Sequence, residues 1–241
     1  MKSGRKTGIG LLVTFLILVG ILVLADRGAA WAAESKISDQ VAQKAAEKKI
    51  EMEGKPDVTI EGFPFLTQVI GGEFQAVDIK MRKLSLDGVS VDSLDVRATD
   101  VKADIGDLMN GKGDVRAGEV TGKATVAFDQ VEELVGMDGA KVRGKDGKLL
   151  ITVPVSLGPT KVTALATARV KVYDGGIKIQ VDDVSVKEAD LPSSLRSEVA
   201  SSLSRRIALP ALPYGLKVRG ATVADDGIVA MASAQDVPLT S

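Results

Sequence analysis

Residues 60–74 read IEGFPFLTQVIGGEF and hold three of the five phenylalanines in a chain with only 3% aromatic residues. Pro64 has no amide donor and restricts Phe63 to extended backbone, so a strand that starts at Val58 must end there. Pro64 also suits the start of a short helix, with Gly71 as its cap. That helix carries a compact apolar face, formed by Phe65, Leu66, Val69 and Ile70. The stretch either closes one end of the core or forms the mouth of an apolar cavity.

After Pro56 the apolar residues recur with a period of two, which is typical of strands. The most regular alternation covers residues 149–157, 162–172 and 177–181, and it predicts three consecutive antiparallel strands. Asp-Gly pairs occur at 87–88, 138–139, 146–147, 174–175 and 226–227, and several of them are predicted to be tight hairpin turns. Two further strands, residues 216–223 and 228–234, are predicted to close the chain.

Between residues 74 and 105 the apolar phase slips by one residue several times, as from Met81 to Leu84 and from Val91 to Leu94. A slip of one residue turns the apolar side chains outward unless a bulge or bend restores the phase. The slips therefore predict strongly bent strands in a curved sheet.

One predicted strand face is built from small side chains, because Ala164, Ala166 and Ala168 share it with valines. Such a face leaves room for a ligand or for a closely packed helix. A helix is predicted over residues 191–207, with an apolar stripe of Leu195, Val199, Leu203 and Ile207, and a short helical turn over 130–135.

The first 33 residues are predicted to be an export signal, since Lys2, Arg5 and Lys6 precede an apolar run from residue 9 to 25. A helix of 17 residues is ~25 Å long, the short limit for a membrane span. The basic residues orient the N-terminus to the cytoplasm. We favour an uncleaved anchor in residues 1–33 and an extracytoplasmic domain in 34–241. The alternative is a protein secreted after cleavage near Ala30-Trp31-Ala32.

The anchor is predicted to continue into one long amphipathic helix over residues 26–52, ended by Gly54 and Pro56. Its apolar positions recur about every four residues, at Trp31, Ile37, Val41 and Ala45.

The composition excludes several classes of function. Without His or Cys, the chain has no Ser-His-Asp or Cys-His nucleophile, structural zinc site or disulfide. The 31 basic and 32 acidic residues nearly cancel, so no nucleic-acid partner is expected. Residues 106–112 resemble the start of a P-loop, but Gly113 replaces the magnesium-binding Ser or Thr and a strand follows, so no nucleotide is expected. We predict no catalytic residue, metal or cofactor.

Three stretches resemble the LmeA-type phospholipid-binding proteins of actinobacterial cell envelopes: DRGAAWAAESKISDQV at 26–41, PDVTIEGFPFLTQVIGGEF at 56–74 and LPYGLKVRGATVADDGIVAMASAQDVPL at 212–239. The resemblance implies an α+β fold of the tubular lipid-binding (TULIP-like) type, with a curved antiparallel sheet wrapped around a long N-terminal helix. It also implies a non-enzymatic protein that binds phospholipid in an apolar groove and supports lipid-linked glycan synthesis.

On this resemblance, acyl chains are predicted to contact Phe63, Phe65, Leu66, Val69, Ile70 and Phe74. Thr67, Gln68, Lys80 and Arg82 are candidates for contacting the headgroup. A non-catalytic structural domain with a filled core is the alternative function. An envelope glycosidase is the enzymatic rival, but Asp182-Asp183 and Asp225-Asp226 lack the aromatic platform that sugar sites use.

Overall fold

The computed structural model describes residues 4–86, 89–103, 114–136, 138–157, 160–173, 176–186, 192–208 and 212–239. The helices in these ranges are α1 (Gly4–Glu47), α2 (Phe65–Gly71), α3 (Phe128–Val135) and α4 (Ser193–Leu203). The strands are β1 (Asp57–Glu61), β2 (Glu73–Leu86), β3 (Val89–Ala103), β4 (Val115–Ala127), β5 (Lys141–Lys145), β6 (Lys148–Leu157), β7 (Thr160–Tyr173), β8 (Gly176–Val186), β9 (Arg205–Ala208), β10 (Lys217–Val223) and β11 (Gly227–Pro238). The P-loop-like stretch lies outside the described residues.

The strands form two open antiparallel sheets. Sheet A has the order β1-β2-β3-β4-β11-β10, and sheet B has the order β5-β6-β7-β8-β9. The predicted α+β class, with a long N-terminal helix and antiparallel strands, is confirmed. Helix α1 packs along β1, the edge strand of sheet A, and against α2.

Sheet B confirms the three strands predicted from alternation, which pair as β6, β7 and β8. Its alanine face at Ala164, Ala166 and Ala168 is fully buried. The same apolar cluster contains Val131 of α3 with Val199 and Leu203 of α4, so packed helices fill that space. The predicted helix over 191–207 was too long, because Arg205–Ala208 pairs with β8 as a strand.

The phase slips in sheet A coincide with kinks that line up across the strands. One line of positions across four strands is skipped in the strand pairing, although the residues on both sides of it are paired. This line consists of Gln75, Asp100, Gly118 and Asp236. Asp100 and Asp236 have φ of 51° and 52°, so the backbone is irregular along this line. Lys83, with φ of 46°, marks the predicted slip between Met81 and Leu84. The kinks keep the apolar residues of both segments on one face.

Two of the predicted Asp-Gly turns join paired strands, at Asp146-Gly147 between β5 and β6 and at Asp226-Gly227 between β10 and β11. Asp146 and Gly147 have φ of 52° and 71°, as a two-residue hairpin turn requires. The pairs at 87–88 and 174–175 lie outside the described residues.

Helix α1 is continuous through the apolar run and ends at Glu47, five residues before the predicted end. Among the described residues it is the one helix long and apolar enough to cross a membrane. Its side chains from Phe15 to Ala25 are exposed, so no described residue covers them. Trp31 was wrongly placed on the buried stripe and is 70% exposed. The other predicted positions face the protein, since Ala45 is buried and Ile37 and Val41 are half-buried. Ala30 and Ala33 join Ile37 in one cluster, and their spacing of three and four keeps them on one face.

Candidate functional site

The residue that follows the apolar run holds the GFPF segment in place. Asp26 is only 3% exposed, and its two carboxylate oxygens accept hydrogen bonds from the amides of Phe65 (3.0 Å) and Leu66 (2.8 Å). These amides open α2 and have no partner within the helix. Pro64 offers no side-chain cap for α2. The carboxylate of Asp26 caps the helix instead, although it lies 40 residues from Leu66 in the chain.

Arg27, the next residue of α1, also contacts the GFPF segment (residues 62–65). We call the contacts of Asp26 and Arg27 with this segment the Asp26 junction. Its guanidinium lies 3.0 Å from the Asp26 carboxylate, donates to the carbonyl of Gly62 at 3.2 Å, and sits 5.4 Å from the ring centre of Phe63. Burial raises the pKa of Asp26, but the amides of Leu66 and Phe65 and the charge of Arg27 outweigh it and hold that pKa below its usual range. The carboxylate is therefore ionised at neutral pH.

We expect Asp26→Asn to loosen α2, because the neutral amide replaces a charged acceptor of two hydrogen bonds. Hydrogen exchange at the amides of residues 65 and 66 should accelerate on the order of tenfold. Asp39→Asn is the matched control, since Asp39 lies on the same helix in an exposed ion pair with Lys55. Unchanged exchange in the Asp26 variant would contradict the capping role.

The same carboxylate predicts a pH dependence. A lowered pKa in the folded state means that the stabilisation is fully present above about pH 4, the range of an unperturbed aspartate. It is lost as the pH falls through the lowered value. Exchange at residues 65 and 66, corrected for its intrinsic pH dependence, should therefore rise only in that acid range. A rise between pH 7 and 5 would be inconsistent with Asp26 as the group responsible.

The six predicted lipid contacts divide into two sets. Phe65 is 6% exposed and packs with Ala30 and Ile60, with its ring 6.2 Å from that of Phe74. Val69 and Phe74 are half-buried in the same cluster. Phe63, Leu66 and Ile70 are 61%, 41% and 87% exposed. The first set seals α2 onto α1 and sheet A, and the second faces outward.

Phe74 and Val77 also pack against a second cluster, which covers one end of the apolar face of sheet A. Strand pairing extends this face as two further rows: Ile79, Val96, Gly122 and Ala232, followed by Met81, Leu94, Ala124 and Ala230. We call these eight residues the open rows. All are half-buried, and Val96 packs against the second cluster, whereas the other seven belong to no apolar cluster of the described residues.

The middle of the open rows has unfilled space. A Cβ atom added to Gly122 would meet no described atom within 4 Å. Three of its neighbours on the same face are alanines, Ala124, Ala230 and Ala232. A strip of small side chains therefore runs between the larger Met81 and Leu94 on one side and β10 on the other. This arrangement can accept an apolar chain lying on the sheet.

The opposite face of sheet A is charged. It holds a cleft of about 460 Å³ whose lining includes Lys80, Asp95 and Lys123. Three residues of the open rows also contribute to this lining: Val96, Gly122 and Ala232. Beside them Arg97 binds Glu61 at 2.6 Å and Asp78 at 2.8 Å. Hydrogen bonds from Arg97 lower the pKa of Glu61, whereas burial and the neighbouring Glu61 carboxyl raise that of Asp78.

The four predicted headgroup candidates do not lie together. Lys80 lines the charged cleft. The hydroxyl of Thr67 donates to the carbonyl of Pro64 at 2.8 Å, and Gln68 accepts from the amide of Gln75 at 2.8 Å. Arg82 is exposed and lies two residues after Lys80 on β2, so it is on the same charged face. In the described part of the chain, no group of three or more acidic side chains could hold a metal ion.

A family model described as LmeA-like phospholipid-binding matches residues 24–233. The chain belongs to this family. The match begins two residues before Asp26 and includes α2, the open rows and both sheets. No curated protein and no solved structure matches the chain.

The sequence pattern predicts neither the role of Asp26 nor the open rows. An aspartate after an apolar run gives no sign of a partner 40 residues later. The open rows depend on the pairing of β4 with β11, more than 100 residues apart in the chain, which no local pattern specifies.

Proposed function

We propose that the chain is a non-enzymatic phospholipid-binding protein of the cell envelope, anchored by α1, which holds acyl chains against the open rows of sheet A. The observation that carries this proposal is the half-buried apolar strip around Gly122, where an added Cβ atom would meet no described atom within 4 Å. Burial of about ten acyl methylenes there, at ~0.8 kcal/mol each, contributes ~8 kcal/mol before the cost of ordering the lipid.

The predicted contacts have two roles in this proposal. Phe65, Val69 and Phe74 close the end of the apolar face next to α1, since their cluster shares Phe74 and Val77 with that face. Cleavage near Ala30-Trp31-Ala32 would remove Asp26, which caps α2, and this supports an uncleaved anchor over a secreted form. A lipid held beside the membrane in this way would serve envelope lipid or lipoglycan maintenance.

Photo-crosslinking tests the binding site in the full chain. The protein is reconstituted in vesicles that contain a phospholipid with a diazirine near the end of one acyl chain, irradiated, and mapped by peptide mass spectrometry. Crosslinks are expected in β2, β3, β4 and β11 at the open rows, in addition to those in the apolar run of α1. Crosslinks confined to α1 and α2 would overturn the proposal and favour the structural alternative, for which the filled core of sheet B is the supporting observation.

A further inference from the structure

A second apolar surface, which the lipid-binding site does not use, lies where α1 leaves the apolar run. It consists of Trp31, Phe63, Leu66 and Ile70, which are 70%, 61%, 41% and 87% exposed. We call these four residues the exit patch. Exposed large apolar side chains that lie together on a soluble surface mark an interaction site.

The position of the exit patch is fixed by the Asp26 junction. The Leu66 amide is 2.8 Å from the carboxylate of Asp26, which directly follows the exposed apolar run. Phe63 lies against Arg27, and Trp31 is one helical turn beyond Arg27 on the same face of α1. Ile70 is one turn beyond Leu66 on α2. All four side chains are therefore within about two helical turns of the point where the apolar run ends.

We propose that the exit patch lies in the headgroup region of the bilayer that α1 enters, so that α2 is docked on the membrane surface. Three observations select this occupant. The run from Phe15 to Ala25 is exposed and places a hydrocarbon boundary at Asp26. Trp favours that boundary, and Phe and Leu are typical of the membrane-facing side of helices that lie in it. Arg27, 47% exposed on its side chain, lies beside the patch and attracts anionic headgroups. Docking would hold the Phe65 end of the apolar face at the membrane surface, where lipid can enter.

This inference rests on the proposed anchor, and a site-specific label tests it in the full chain. Because the sequence has no cysteine, Ile70→Cys provides a unique attachment point for the dye NBD. The label is measured in phosphatidylcholine and phosphatidylglycerol vesicles that contain a phospholipid spin-labelled near the headgroup end of the acyl chain. Leu165→Cys is the matched control, since Leu165 is an exposed apolar residue of sheet B.

Quenching at residue 70 should exceed that at residue 165 by about threefold or more. Equal quenching at the two positions would overturn the docking proposal. A second result would also overturn it: no quenching at residue 70, in a chain that resists alkaline extraction and still crosslinks lipid at the open rows. That result would leave the proposed function intact. Energy transfer between copies labelled at residue 70, without lipid quenching, would assign the patch to a second copy of the chain. Release of the chain by alkaline carbonate would overturn the anchor and the docking together.

Discussion

Gly122→Leu is expected to abolish most lipid binding while leaving the fold intact. The new side chain would project into the unfilled space of the open rows and displace about four acyl carbons, at ~0.8 kcal/mol each. Affinity for phospholipid should therefore fall on the order of 100-fold. Crosslinking in β2, β3, β4 and β11 measures this loss as a function of the fraction of diazirine lipid in the vesicle.

The free energy of unfolding should change little in this variant, because the added Cβ meets no described atom and Leu suits a strand better than Gly does. Gln235→Leu is the matched control, since it adds an apolar side chain at an exposed position of the neighbouring strand β11. Full crosslinking in Gly122→Leu would show that lipid does not occupy the open rows. Loss of crosslinking in both variants would point to a general defect in the protein.

The local patterns of the sequence specify the elements of this fold better than their arrangement. Strict alternation is enough to find β6, β7 and β8, because one face of each packs into the core of an antiparallel sheet. The one-residue slips from Met81 to Leu84 and from Val96 to Val101 contain the kinks at Lys83 and Asp100, since a kinked strand that keeps one apolar face must shift its sequence period there. Pro64 correctly locates the start of α2, but the predicted cap Gly71 is the last helical residue, and Gly72 caps the helix with φ of 67°.

Arrangement depends on contacts between distant residues. Alternation shows that Ala164, Ala166 and Ala168 face the same way, but not that α3 and α4 fill the space beside them. The end of α4 was misjudged because Ile207 continues the helical stripe, whereas pairing with Ile177 of β8 determines its conformation. The candidate site is affected most, since it combines an acid at residue 26, a helix that begins at residue 65 and the four central strands of sheet A, which come from distant parts of the chain.

Phe65→Ala is expected to cost about 3–5 kcal/mol in the free energy of unfolding, because it removes a buried ring from the cluster that joins α1, β1 and α2. Phe63→Ala, two residues away, should cost no more than about 1 kcal/mol, since its ring is exposed and its defined partner is the guanidinium of Arg27. Urea titration of both variants in the same detergent measures the difference.

The pair of variants also decides what the GFPF segment does for the lipid. If Phe65 closes the apolar face, its removal opens the end next to α1, and the variant should bind lipid less selectively for acyl-chain length as well as being less stable. Phe63→Ala should keep the wild-type binding and lose only contact with the membrane surface. A Phe65 variant with unchanged stability and weakened binding would mean that the ring contacts the acyl chain directly, because a seal cannot be removed without a loss of packing.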